Sequence, residues 1–103
     1  MNAAELFVLC LESEGATRVF GVPGEENAAL MMALDASSIE FVLTRHEQGA
    51  AFMSEVHGRL TGEPGVCLGT LGPGAANLVT EVSNANMDRV PLIAITGQAG
   101  IER

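Results

Sequence analysis

Four short runs of apolar and β-branched residues, Arg18 to Phe20, Ile39 to Leu43, Val66 to Thr70 and Pro91 to Thr96, are separated by segments with apolar residues at helical spacing. That alternation constrains the fold more than any other feature of the chain. Strands separated by helices close as right-handed parallel crossovers, so the pattern predicts an α/β fold with a doubly wound, mainly parallel sheet of about four strands. The commonest order, 2-1-3-4, reverses the winding between strands 1 and 3 and opens a crevice at the carboxyl ends of the strands. Pro91 is tolerated at the first residue of a strand, and Leu92-Ile93-Ala94-Ile95 is a continuous apolar run. The sequence ends soon after strand four, which leaves that strand's free edge without a following helix.

The helical segments carry their own punctuation. Ala3 to Glu14 places Leu6, Leu9 and Cys10 on one face, widened by Phe7 and Leu11, and Gly15 follows as a left-handed terminator. Gly21-Val22-Pro23-Gly24 reads as a turn. After it Glu25 and Glu26 favour the start of a second helix through its dipole, and Met31, Met32 and Leu34 supply apolar surface near its end. Gln48 to Leu60 forms the third helix, which stops near Gly62, and Glu63-Pro64-Gly65 turns the chain into the third strand. Leu71-Gly72-Pro73-Gly74 then opens a fourth helix from Ala75 to Ala85.

Composition removes several classes of function. The 103 residues make one domain at most, and 48% hydrophobic against 17% charged residues is a globular balance. Thirteen acids face five arginines and no lysine, for a net charge of -8, which argues against a nucleic-acid partner because phosphate binding depends on basic side chains. No apolar run of about 18 residues is present to span a bilayer, and Met1-Asn2-Ala3-Ala4-Glu5 lacks the basic start of a secretory signal. The expectation is a cytoplasmic protein without a membrane partner. Cys10 and Cys67 sit among apolar residues and read as two buried, reduced thiols.

Glu47 is the candidate with chemistry. It lies where the second strand gives way to the third helix, in Thr44-Arg45-His46-Glu47-Gln48-Gly49-Ala50, and such junctions are where open α/β sheets bind ligands. A carboxylate in the first turn of a helix also stabilises it by roughly 0.3 to 1 kcal/mol and needs no other purpose. The Gly72-Pro73-Gly74 turn is equally two-sided, a tight turn or a set of amides open to an anion. Read from Gly72, Gly-Pro-Gly-Ala-Ala-Asn has Asn77 where a dinucleotide fingerprint places its third glycine. His46 and His57 are about three helical turns apart, too far to share a metal, and no Gly-x-Ser-x-Gly elbow marks a serine hydrolase.

Taken together, four stretches carry a resemblance. They are Gly21-Val22-Pro23-Gly24, Thr44 to Ala50, Thr70-Leu71-Gly72-Pro73-Gly74-Ala75-Ala76-Asn77-Leu78-Val79, and Asn86 to Gln98. In order and spacing they resemble the pyrimidine-binding domain of thiamine-diphosphate enzymes, and most of all the large subunit of acetolactate synthases. The resemblance spans nearly the whole chain and implies that residues 1–103 are the N-terminal, incomplete part of such a domain in a longer enzyme.

By that resemblance Glu47 is the glutamate that hydrogen-bonds the aminopyrimidine ring of the cofactor and promotes its imino tautomer, which then takes the proton from the thiazolium carbon. The role asks for a carboxyl group able to share a proton with a weakly basic ring nitrogen, which a dry cleft between subunits favours. Pro23, Thr70, Pro73, Gly74 and Asn77 match positions lining the pyrimidine pocket, and Gln48 adjoins them. The diphosphate and its Mg2+ are held in the family by a separate domain with a Gly-Asp-Gly motif that this sequence lacks. FAD, which some acetolactate synthases carry, would be decided by regions beyond residue 103. The implied partners are thiamine diphosphate and either a second copy or the remainder of the enzyme. The implied reaction is decarboxylation of pyruvate and its ligation to a second 2-oxo acid. Other 2-oxo acid decarboxylases, oxidases or carboligases of the family, a noncatalytic α/β remnant or interaction module, and a domain binding NAD or FAD are the alternatives.

Overall fold

The computed structural model describes residues 1–101. Its elements follow one another as α1 (Ala3–Ser13), β1 (Arg18–Gly21), a 3-10 turn (Glu25–Asn27), α2 (Ala28–Asp35), β2 (Glu40–Leu43) and α3 (Glu47–Thr61). They continue as β3 (Gly65–Leu68), α4 (Pro73–Ala76), α5 (Val79–Met87) and β4 (Leu92–Ile95). The four strands form one all-parallel sheet in the order β2-β1-β3-β4, the order that the alternation of elements predicts.

Register divides the sheet into two apolar faces. Phe41, Val19, Val66 and Ile93 stand side by side across it on one face, and Val42, Phe20, Cys67 and Ala94 on the other. On the first face Val8 and Leu11 of α1 and Ala33 and Leu34 of α2 cover Val19, Val66 and Leu68. On the second, Ala50 and Ala51 of α3 pack with Leu78 over Phe20 and Cys67. Small residues let α3 approach β3 closely: a Cβ at Gly65 would fall 1.9 Å from Ser54 O. This close seat holds the helix that begins with Glu47.

Helix ends follow their local chemistry. Asn2 Oδ1 accepts from Glu5 N at 2.8 Å while Asn2 N donates to Glu5 Oε2 at 3.2 Å, a capping box at the start of α1. Gly15 has φ +91° and Gly62 has φ +75°, the left-handed geometry that a residue without Cβ adopts most readily. Beyond Gly15, Ala16 N reaches back to Leu11 O at 3.0 Å and closes the first helix.

Several expectations need correction. The face of α1 that enters the core is Val8 and Leu11, with Ala4 beside them, whereas Leu6 and Leu9 are exposed and so is Cys10. Only Cys67 is a buried thiol, although both cysteines are free. A helix apolar on most sides gives its periodicity no single direction, so packing chooses the face. Met32 likewise points outward. β2 is half-exposed because it is an edge strand. Gly65 belongs to β3, while Gly69 and Thr70 lie beyond it. The second helix starts after the 3-10 turn over Glu25 and Glu26. The single helix expected from Ala75 to Ala85 is broken at Asn77 and Leu78, where Leu78 is buried in the core at 2% exposure.

Candidate functional site

The carboxyl ends of the strands and the start of α3 meet at Glu47. Thr44 N donates to Gly21 O at 2.9 Å, extending the β2–β1 ladder beyond Leu43. Thr44 Oγ1 then donates to His46 O at 3.1 Å. His46 caps the helix, its Nδ1 accepting from Gln48 N at 3.0 Å. An accepting ring nitrogen carries no hydrogen, so the proton of the neutral imidazole resides on Nε2. Glu47 follows as the first residue of α3, half-buried, with the positive end of the helix dipole behind it.

The chain leaving β3 forms the other wall. Gly69 is fully inside the fold, and a Cβ there would lie 3.3 Å from Glu47 Cγ. A Cβ at Gly74 would lie 2.7 Å from Thr70 Oγ1 and 3.2 Å from Glu47 Oε2. The hydroxyl of Thr70 and one carboxylate oxygen of Glu47 therefore pack side by side against Gly74, too closely for a side chain there. Asn77, at the break between α4 and α5, donates from Nδ2 to Glu47 Oε1 at 3.1 Å. The turn after β1 completes the rim: a Cβ at Gly24 would collide with Thr70 Cγ2 at 2.1 Å.

Among the residues picked out from sequence, the structure thus brings Glu47, Thr70, Gly74 and Asn77 together. Pro23 is exposed next to Gly24, and Pro73 is exposed as the first residue of α4, so both stand at the rim. Gln48 is engaged through its backbone N–H by His46. Sequence reasoning missed the capping role of His46, which only its position before a helix start signals. It also missed Asn27, buried at 5% exposure, whose Nδ2 reaches Gly69 O at 3.4 Å and ties the 3-10 turn to the end of β3. A polar side chain in a helix-start turn is too common a pattern to reveal such a tie.

Electrostatics leave Glu47 without a cation. Among the described residues the ion pairs are Arg18–Glu40, Arg59–Glu55 and Arg59–Asp88. No group of three or more His, Cys, Asp or Glu side chains is placed to hold a metal among the described residues. Cavity size does not mark the site either: a cavity of about 500 Å³ lies between α1 and α2, lined by residues such as Val8, Leu9 and Met32. What the Glu47 end offers is a carboxyl group with one oxygen held by a neutral amide and the other beside Gly74 and a hydroxyl. Such a group can accept a hydrogen bond from, or share a proton with, a planar nitrogenous ring. A carboxylate beside a hydroxyl at the carboxyl ends of the strands is the hydrogen-bonding chemistry that an aminopyrimidine asks for.

The chain is similar to known proteins over nearly its whole length. The chain is 50% identical over 96 residues to an acetolactate synthase of Bacillus subtilis (strain 168), covering 93% of this chain and 17% of that protein. It is 50% identical over 98 residues to the chloroplastic acetolactate synthase 2 of Nicotiana tabacum, covering 94% and 15%. With the large subunit of acetolactate synthase isozyme 2 of Escherichia coli (strain K12) it shares 45% identity over 98 residues, covering 95% and 18%. The chain therefore spans about a sixth of the length of these relatives. Residues 1–103 match the family described as thiamine pyrophosphate enzyme, N-terminal TPP binding domain, and the chain belongs to that family.

Proposed function

We propose that this chain supplies the pyrimidine side of a thiamine-diphosphate site, with Glu47 as the group that exchanges a proton with the aminopyrimidine, in an enzyme resembling acetolactate synthase. The observation that carries the reading is the carboxylate of Glu47 at the carboxyl end of a parallel sheet, with Oε1 held by Asn77 and Oε2 beside Gly74 and Thr70. Thiamine diphosphate, when bound, supplies a thiazolium carbon that becomes a nucleophile toward 2-oxo acids on losing its proton. Glu47 would hold the proton that the ring nitrogen shares. Thr70 and Gly74 would line the ring's edge, with Pro23 and Pro73 at the rim and Gln48 adjoining.

The reaction in this reading is decarboxylation of pyruvate and transfer of the remaining two-carbon unit to a second 2-oxo acid. Support comes from the acetolactate synthase relatives, which cover 93% to 95% of this chain. The diphosphate is the most highly charged part of the cofactor, and a segment of net charge -8 repels it. We therefore assign the diphosphate, Mg2+ and any FAD to regions outside residues 1–103, and completion of the site to a second copy or to the rest of the enzyme.

Calorimetric titration with thiamine diphosphate and Mg2+ tests this division. The complete enzyme binds and converts pyruvate to acetolactate, followed by NMR, whereas the 103-residue chain does neither. Tight binding by the short chain would overturn its assignment as one side of the site. Release of acetaldehyde or acetate in place of acetolactate would move the enzyme to another branch of the family.

A further inference from the structure

We infer that Asn77 is a positioning residue for Glu47: its amide pins one carboxylate oxygen and so fixes the plane in which the carboxyl group meets the ring. This rests on the reading of Glu47 given above and changes the part that sequence assigns to Asn77, from lining the pocket to orienting the group that does the chemistry.

The geometry has three supports. Nδ2 of Asn77 donates to Glu47 Oε1 at 3.1 Å across 30 residues of sequence. An ionised carboxylate only accepts, so the NH2 end of the amide must face it. Second, Asn77 is itself held: its N–H donates to Pro73 O at 2.9 Å, and the next residue, Leu78, is anchored in the core at 2% exposure. Third, the two carboxylate oxygens have different surroundings. Oε1 meets the amide, while Oε2 lies by Gly74, where a Cβ would come within 3.2 Å of it. Without the amide the carboxyl group can turn over the broad range of its last torsion, and its plane is no longer fixed.

Positioning and direct cofactor contact predict different double-mutant cycles. The test measures thiazolium proton exchange in the complete enzyme loaded with thiamine diphosphate, for Glu47→Ala, Asn77→Ala and the double variant. A residue that acts only through Glu47 slows exchange by about tenfold when Glu47 is present and has no effect once Glu47 is gone. An equal loss from Asn77→Ala in both backgrounds overturns the inference and leaves the reading of Glu47 intact. No loss from Glu47→Ala itself overturns that reading as well.

A cofactor-free readout accompanies it. In urea unfolding of the ligand-free enzyme, the losses from Glu47→Ala and Asn77→Ala should be non-additive, and additive losses would count against the bond. Asn77→Asp, of equal size but presenting an acceptor of like charge, should slow exchange more than Asn77→Ala. Parental exchange in Asn77→Asp would overturn the inference even if Asn77→Ala folds poorly.

Discussion

α3 carries two glutamates, and the surroundings of Glu47 at its start differ from those of Glu55 two turns later. Each meets an asparagine amide from the segment after β3, Asn77 to Glu47 at 3.1 Å and Asn84 to Glu55 at 2.8 Å. There the likeness ends. Glu55, whose side chain is 6% exposed, also accepts from Arg59 Nη2 at 2.6 Å and Nε at 3.1 Å. Hydrogen bonds to Asp88 first, and to Glu55 second, raise the guanidinium's hold on its proton further. Asn84 bridges onward to Glu81, fully buried on α5, at 3.3 Å. Glu55 thus has three donors on one oxygen, two of them from a cation. Among the described residues Glu47 has one side-chain donor and no cation. On one helix, the difference in partners separates a carboxylate tied to a cation from one held by a neutral amide alone.

The largest effect expected from breaking this contrast comes from the same substitution made at each end. Glu47→Gln keeps the size but removes the proton-sharing group, and should slow thiazolium proton exchange in the complete enzyme by about 10²- to 10⁴-fold. NMR-timed exchange at the parental rate would return Glu47 to a helix-start residue. Gly74→Ala comes next. It adds a Cβ 2.7 Å from Thr70 Oγ1 and 3.2 Å from Glu47 Oε2. The resulting shift of the carboxylate should cost about 10²-fold in exchange while urea unfolding changes little.

Glu55→Gln should reverse the pattern, costing about 1 kcal/mol in urea unfolding through loss of its charged hydrogen bonds and leaving exchange at the parental rate. A larger loss of exchange than of stability there would erase the distinction between the two ends. The smallest effect at neutral pH measures how dry the seam between α3 and β3 is, since Ser54 beside Glu55 lies against Cys67. Burial pushes the Cys67 thiol up to about 11 from 9.0. The folded state therefore keeps a proton that the unfolded chain loses, so this contribution is intact below about pH 9 and declines as pH rises through about 11. With no lysine or tyrosine in the sequence, few other groups titrate there. The urea midpoint should fall across that window in the parent and stay flatter in Cys67→Ala, whereas equal slopes would mean a wet seam.

Legibility differed between neighbouring residues for physical reasons. Gly15 and Gly62 announced their helix ends because a left-handed residue is a local requirement. Glu47 was legible as a junction because β2 and α3 each have a recognisable period on either side of it. Asn77 was legible as a motif position but not as a partner of Glu47, since nothing local says which way a side chain at a helix break will point. Glu55 and Glu81 carry no sequence mark of burial, because acids at such spacing are usually solvated on a helix surface.

Sequence by itself therefore determined the alternation of elements, the strand order β2-β1-β3-β4 and the seat of Glu47 at the mouth of the sheet. All three depend on spacing within short windows and on the few connections that parallel strands allow. Tertiary structure alone decided that α1 buries Val8 and Leu11 and leaves Cys10 exposed, that the helix after β3 breaks at Leu78, and that Asn77 reaches Glu47. Each of these is set by contacts between residues far apart in the chain, where packing the core at close density outweighs the weak local preferences of the residues involved.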